Sequence, residues 1–160
     1  MKKIFLSALI GMALSCAFVT QALAQNHLKD LDDVRSSMTQ IGRNLPDIIK
    51  AASAEDMRAL ERVFEINNYA LMTIESYLKM LKASIVSGGK LNKEVITLVN
   101  SWLQFIANYC EDDVKYLEEA AKEVKGSATS DIIERERSCI SRLMESAKKG
   151  IGENSQASSD

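Results

Sequence analysis

The chain has 160 residues, 20 basic and 22 acidic, for a formal charge of −2, and 46% of it is hydrophobic. That length suits a single domain with a real core, and the interspersed, nearly balanced charge argues against nonspecific nucleic-acid binding. With one histidine, one proline and three cysteines, the chain is poor in the groups from which catalytic and metal sites are built.

The first 24 residues read as an export signal. Met1-Lys2-Lys3 gives a basic start, "IFLSALIGMAL" is a short apolar run, and Ala22-Leu23-Ala24 fits a small-x-small cleavage site ahead of Gln25. Cleavage after Ala24 places the mature protein in the bacterial periplasm or outside the cell. The rival lipoprotein reading through Cys16 is disfavoured, because Ala13, Leu14 and Ser15 match a lipobox poorly. Removing Lys2 and Lys3 leaves 18 basic residues against 22 acids, a formal charge of −4. No second apolar run of membrane length follows, so no stable membrane span is expected after cleavage.

Apolar residues in the remainder recur at helical spacing in four segments, with no sustained strand pattern. The first spans about 28–52, where Leu31, Val34, Met38, Ile41, Leu45 and Ile48 form a seam. Pro46 interrupts it and should kink or restart the helix rather than end it. The second spans about 53–87. Ser53 and Asp56 form a variant capping box, and the seam runs through Met57, Leu60, Phe64, Leu71, Ile74, Leu78, Leu81 and Ile85. Asn67 occupies one seam position. It reads as a structural polar residue that fixes register, with ligand binding as the alternative. Ser87–Gly89 supplies the stop.

The third segment spans about 92–125, opening on Asn92 as cap, and the fourth begins near Thr129 or Ser130 and ends by Gly150. The expected fold is therefore all-α, an antiparallel up-down-up-down four-helix bundle over 25–150. Its two long central helices should each span roughly 45–50 Å and outrun their partners. Residues 151–160 are small and polar and read as a disordered tail. The acid-rich stretches on the third and fourth segments, including Glu134–Arg137, read as solvated faces laced by pairs such as Glu111–Lys115 and Glu118–Lys122.

After cleavage two cysteines remain, Cys110 and Cys139, an even pair in an oxidising compartment. With the last turn centred near Gly126–Ser127 they fall about one helical turn apart, so a disulfide is expected. On the chain-entropy model it would stabilise by roughly 3–4 kcal/mol. No catalytic residue, metal site or cofactor is indicated. His27 lies three residues from the new N-terminus, where it should be frayed, and no Glu-x-x-His or Cys-x-x-Cys-His motif occurs. The chain is not expected to be an enzyme.

What remains is "NSWLQFIANYC" at 100–110. Leu103, Ile106 and Cys110 belong to the core seam of the third helix, whereas Trp102, Phe105 and Tyr109 lie on a second stripe beside it. This stripe is the candidate partner-binding face. The sequence thus points to an exported protein-binding module that recognises another protein, or a second copy in a homodimer, through a helix face. Such a module would serve as adaptor, assembly factor, chaperone-like subunit or inhibitor. The alternative is a carrier enclosing an apolar small molecule or lipid within the bundle.

Overall fold

The computed structural model describes the backbone of residues 2–86 and 93–157. Side chains are described from His27 to Glu153, apart from residues 81, 83–93 and 95. The expectations for Ser87–Gly89, Leu81, Ile85 and Asn92 fall outside the described residues, as do the side chains of residues 1–26. Four helices account for the described backbone: α1 (Lys2–Ala51), α2 (Ala54–Val86), α3 (Lys93–Glu123) and α4 (Ser127–Ala157). No strand occurs among the described residues.

Each junction has a local cause. The α1–α2 connection is two residues long, and the Ser53 hydroxyl accepts the Asp56 amide at 3.2 Å, which caps α2. The Asp56 carboxylate crosses the molecule rather than closing a box on Ser53. It accepts the amides of Lys125 at 3.1 Å and Gly126 at 2.9 Å, in the turn before α4. These bonds, the Lys125 amide foremost, hold the Asp56 carboxyl below its usual pKa. A side chain at Gly126 would put its Cβ 2.6 Å from that carboxylate, so it would displace Asp56 from these bonds. α1 runs on through the exposed Pro46 to Ala51, as its seam implies.

Cross-helix pairs fix the directions. α1 meets α2 at His27–Tyr77 and Met38–Asn67, and α2 meets α3 at Arg62–Asp113, Tyr69–Tyr109 and Tyr77–Trp102. In each set one number rises as the other falls, so α1 and α2 are antiparallel, as are α2 and α3. The four form a bundle of skewed cross-section. α4 packs along α3 and α1 and also reaches α2 across the interior, whereas α2 and α3 approach each other sparsely among the described residues. The core includes Leu31, Val34, Met38, Ile41 and Leu45 from α1, Leu103, Ile106 and Leu117 from α3, and Ile132, Ile133, Ile140 and Leu143 from α4.

Four expectations are corrected. The inward stripe of α2 is Leu60, Val63, Ile66, Ala70, Ile74, Tyr77 and Leu78, and Phe64 points outward with 45% of its surface exposed. The central helices do not project beyond α4 as expected, because α4 has 31 residues against 33 in α2 and 31 in α3. The expected tail begins inside a helix: α4 continues past Gly150 to Ala157, and Ile151 packs on the core. Gly150 permits a close approach there, since a Cβ would lie 2.5 Å from the Tyr77 hydroxyl and 3.1 Å from Leu103.

The fourth correction concerns the disulfide. Cys110 and Cys139 are separate, buried free thiols. α4 begins at Ser127, before the expected start at Thr129 or Ser130, and Cys110 shares a cleft with Ile140 and Leu143. Cys139 is one residue out of register, which on a helix is a rotation of about 100°. Burial pushes the Cys110 thiol up to about 12 and the Cys139 thiol up to about 11, so both stay protonated and unreactive.

Gly150→Ala should therefore destabilise the protein by about 1–3 kcal/mol through overpacking against Tyr77. Urea denaturation of parent and variant measures this, and a neutral result would mean that Gly150 is not in tight contact.

Candidate functional site

Two features are candidates for function: a polar cluster inside the bundle and an aromatic face outside it. The cluster is built on α4 and α2. Glu136 follows Ile132 and precedes Ile140 by four residues each, a spacing that carries it to the buried side of α4, where it is fully inaccessible. The Asn67 amide donates to Glu136 Oε2 at 2.9 Å and to the Met38 carbonyl at 3.0 Å, so one side chain links α1, α2 and α4. Gly42 leaves room for it, since a Cβ at that position would lie 3.0 Å from Asn67 Oδ1.

From α3, Asp113 is buried against the same interior, and Arg62 of α2 reaches it at 3.5 Å while lying over the Tyr116 ring. Asn67 Oδ1, Asp113 Oδ2 and Glu136 Oε1 are buried without a hydrogen-bond partner among the described residues. Burial raises the Glu136 carboxyl to about 7, with the Asn67 bond opposing and Asp113 adding to the rise. Burial likewise raises Asp113 to about 6 against the pull of Arg62. The reading of Glu134–Arg137 as a solvated face is thus corrected at Glu136, although Arg137 does pair with Glu134 at 2.7 Å. Glu111–Lys115 forms at 3.0 Å, whereas Glu118 is paired with Arg137.

His27 is also corrected. It is buried, with Nε2 bonded to the Tyr77 hydroxyl at 2.8 Å and to Ser146 Oγ at 3.3 Å. Burial lowers its pKa, against the pull of Glu153. With Tyr77 on Trp102, the three rings form a chain of edge contacts at 5.4 and 5.7 Å. Among the described residues no group of three or more His, Cys, Asp or Glu could hold a metal ion, and no helix is long and apolar enough to cross a membrane.

The aromatic stripe of α3 divides. Trp102 is half-buried against Tyr77, so it leans into the bundle. Phe105 is 55% exposed and stacks with the half-buried Tyr109, which in turn packs on Tyr69 of α2 at 4.7 Å. Burial raises the Tyr109 pKa. Leu98 and Met72, each 71% exposed, extend the apolar surface along α3 and α2. Beneath Tyr69, Phe105 and Tyr109 lies a cleft of about 10 Å³, reaching Cys110 and Asp113. That is room for roughly one water. On the α1–α2 side, a solvent-open hollow of about 540 Å³ is lined by Arg35, Arg43 and Glu75 with neutral polar residues.

The setting of the aromatic face sets it apart from the rest of the surface. Residues 95–110 contain no Asp, Glu, Lys or Arg, and neither do residues 66–74, in a chain that is 26% charged. The antiparallel hairpin lays residues 69–74 beside about 104–110, where the two uncharged stretches overlap. This charge gap is the sequence signal by which Tyr69 and Met72 could have been joined to Phe105. No protein-family model matches the chain, and neither a curated protein nor a solved structure is significantly similar to it.

The buried cluster makes stability depend on pH. Since the fold raises Glu136 above its usual 4.5, this group's contribution is full below about pH 4.5 and is lost as pH rises toward about 7. His27 acts with the opposite sign, because its lowered pKa favours the fold above about pH 6.5 and that contribution is lost on acidification. Comparing Glu136→Gln with the parent cancels the histidine contribution. The variant should be more stable at pH 8 by on the order of 3 kcal/mol, and the difference should close toward pH 4. Urea denaturation across that range checks this, and a difference independent of pH would contradict it.

Proposed function

We propose that the chain is an exported helical protein-binding module, acting through the α2–α3 face as adaptor, assembly factor, chaperone-like subunit or inhibitor. The observation that carries this reading is the uncharged stretch 95–110, whose solvent side presents Leu98 and Phe105 while Tyr109 ties it to Tyr69 of α2. A solvated helix face is normally charged, and exposed apolar patches rimmed by neutral polar residues are typical of recognition surfaces. Within the stripe, Phe105 is the anchor, Tyr109 supports it from below, and Trp102 holds α3 to Tyr77. Asn67 serves the fold, since its amide is used by Met38 and Glu136.

The carrier alternative has less support. Ligand sites for drug-sized molecules enclose about 300–1,000 Å³, against about 10 Å³ in the cleft below the aromatic face. Export rests on the basic start, the short apolar run and the Ala22-Leu23-Ala24 site.

A photoreactive residue at Phe105, irradiated in the native cell envelope, should give discrete protein adducts, and one at Phe64 on the other flank of α2 should not. Absence of any protein adduct from Phe105 would sink the protein-binding reading. N-terminal sequencing of the same material should begin at Gln25, and an intact Met1 would refute export with cleavage.

A further inference from the structure

We infer that the occupant of the α2–α3 face is a second copy of this chain, docked by a twofold contact; the inference rests on the protein-binding reading above. Charge is the first argument. A partner carrying charges would need opposite charges here, and the face has none to offer between residues 95 and 110 or between 66 and 74. Thr73, Ser76, Ser101, Gln104 and Asn108 are the neutral polar side chains around the apolar residues, Gln104 and Asn108 already bond each other at 2.8 Å, and the exposed Glu65, Glu75 and Lys79 stand at the α2 margin. A copy brings the neutral centre of the face against itself, with Glu65, Glu75 and Lys79 at the margin of the contact.

Area is the second argument. Tyr69, Met72, Leu98 and Phe105 together expose roughly 500 Å² of largely apolar surface, near the upper end of what monomers leave uncovered. A twofold axis doubles that to about 1,000 Å², the level a specific interface needs to reach. Geometry is the third. α2 and α3 each hold their buried side against α1 and α4, so the outer side of the hairpin can receive another hairpin without repacking the bundle.

Sedimentation equilibrium of the full chain across a hundredfold range of concentration tests this. The expected result is a mass rising to twice that of the monomer. Phe105→Asp and, separately, Met72→Glu should weaken the association at least tenfold, and Phe64→Asp should leave it unchanged. All three side chains already meet solvent, so circular dichroism should show full helix content in each variant. A monomeric mass throughout, or a dimer indifferent to Phe105→Asp and Met72→Glu, would overturn the inference. So would a monomer that adsorbs to phosphatidylcholine vesicles through Phe105, which would assign the face to lipid. A monomer whose Phe105 photoadduct is another protein overturns the second copy and leaves the protein-binding reading standing. A monomer with no protein adduct at all ends both.

Discussion

Helix α4 is the member to which the rest of the bundle is fastened, and among the described residues α3 has little other anchorage. α4 lies along α3, along α1 and across the interior from α2. With one flank committed to α4, α3 turns its other flank toward α2, but the two backbones stand apart and rings fill the difference. Tyr69 on Tyr109 and Trp102 on Tyr77 span the gap at one end, and Arg62 over Tyr116 with Asp113 spans it at the other. Aromatic side chains reach farther than aliphatic ones, so a seam of this width is closed by rings whose outer edges remain in solvent. The exposed face is therefore a consequence of how α3 is held.

The same hub carries the main energetic cost of the interior. Glu136 sits on α4 where an aliphatic residue would stabilise more, and its satisfied oxygen depends on Asn67. Polar residues in a helical seam favour one register over its neighbours, because a shift of one residue would strand the Asn67 amide away from both Met38 and Glu136. The Asp56 carboxylate does comparable work at one end of the bundle by tying the start of α2 to the α3–α4 turn. Specific pairing of helices thus comes from a few polar side chains, and cohesion from the aliphatic core around them.

Much of the fold was legible in the sequence. The seam of α1 is legible residue for residue from Leu31 to Leu45, because apolar residues there occupy one arc, and the α3 seam positions Leu103, Ile106 and Cys110 are likewise buried. α2 was misread because both of its flanks carry apolar side chains. Spacing admits Phe64 or Val63 equally, and only the packed partner decides between them. Asp113 and Glu136 were hidden by the habit of assigning charge to solvent, although Cys110–Asp113–Leu117 and Ile132–Glu136–Ile140 carry the spacing that betrays them. The cysteines failed for a different reason, since one residue of register decides a disulfide and a loop length cannot be read that finely. Half of the candidate face was visible as Trp102, Phe105 and Tyr109, but the contribution of α2 needed the third dimension.

The central claim is that the outer side of α2 and α3 is covered by protein in the working molecule. Hydroxyl-radical footprinting, comparing the dilute purified chain with the chain in its native envelope, addresses it most directly. Leu98, Phe105 and Met72 should be labelled in the dilute chain and protected in the envelope, with Phe64 labelled equally in both. Equal labelling of Phe105 and Met72 in the two states would contradict the account.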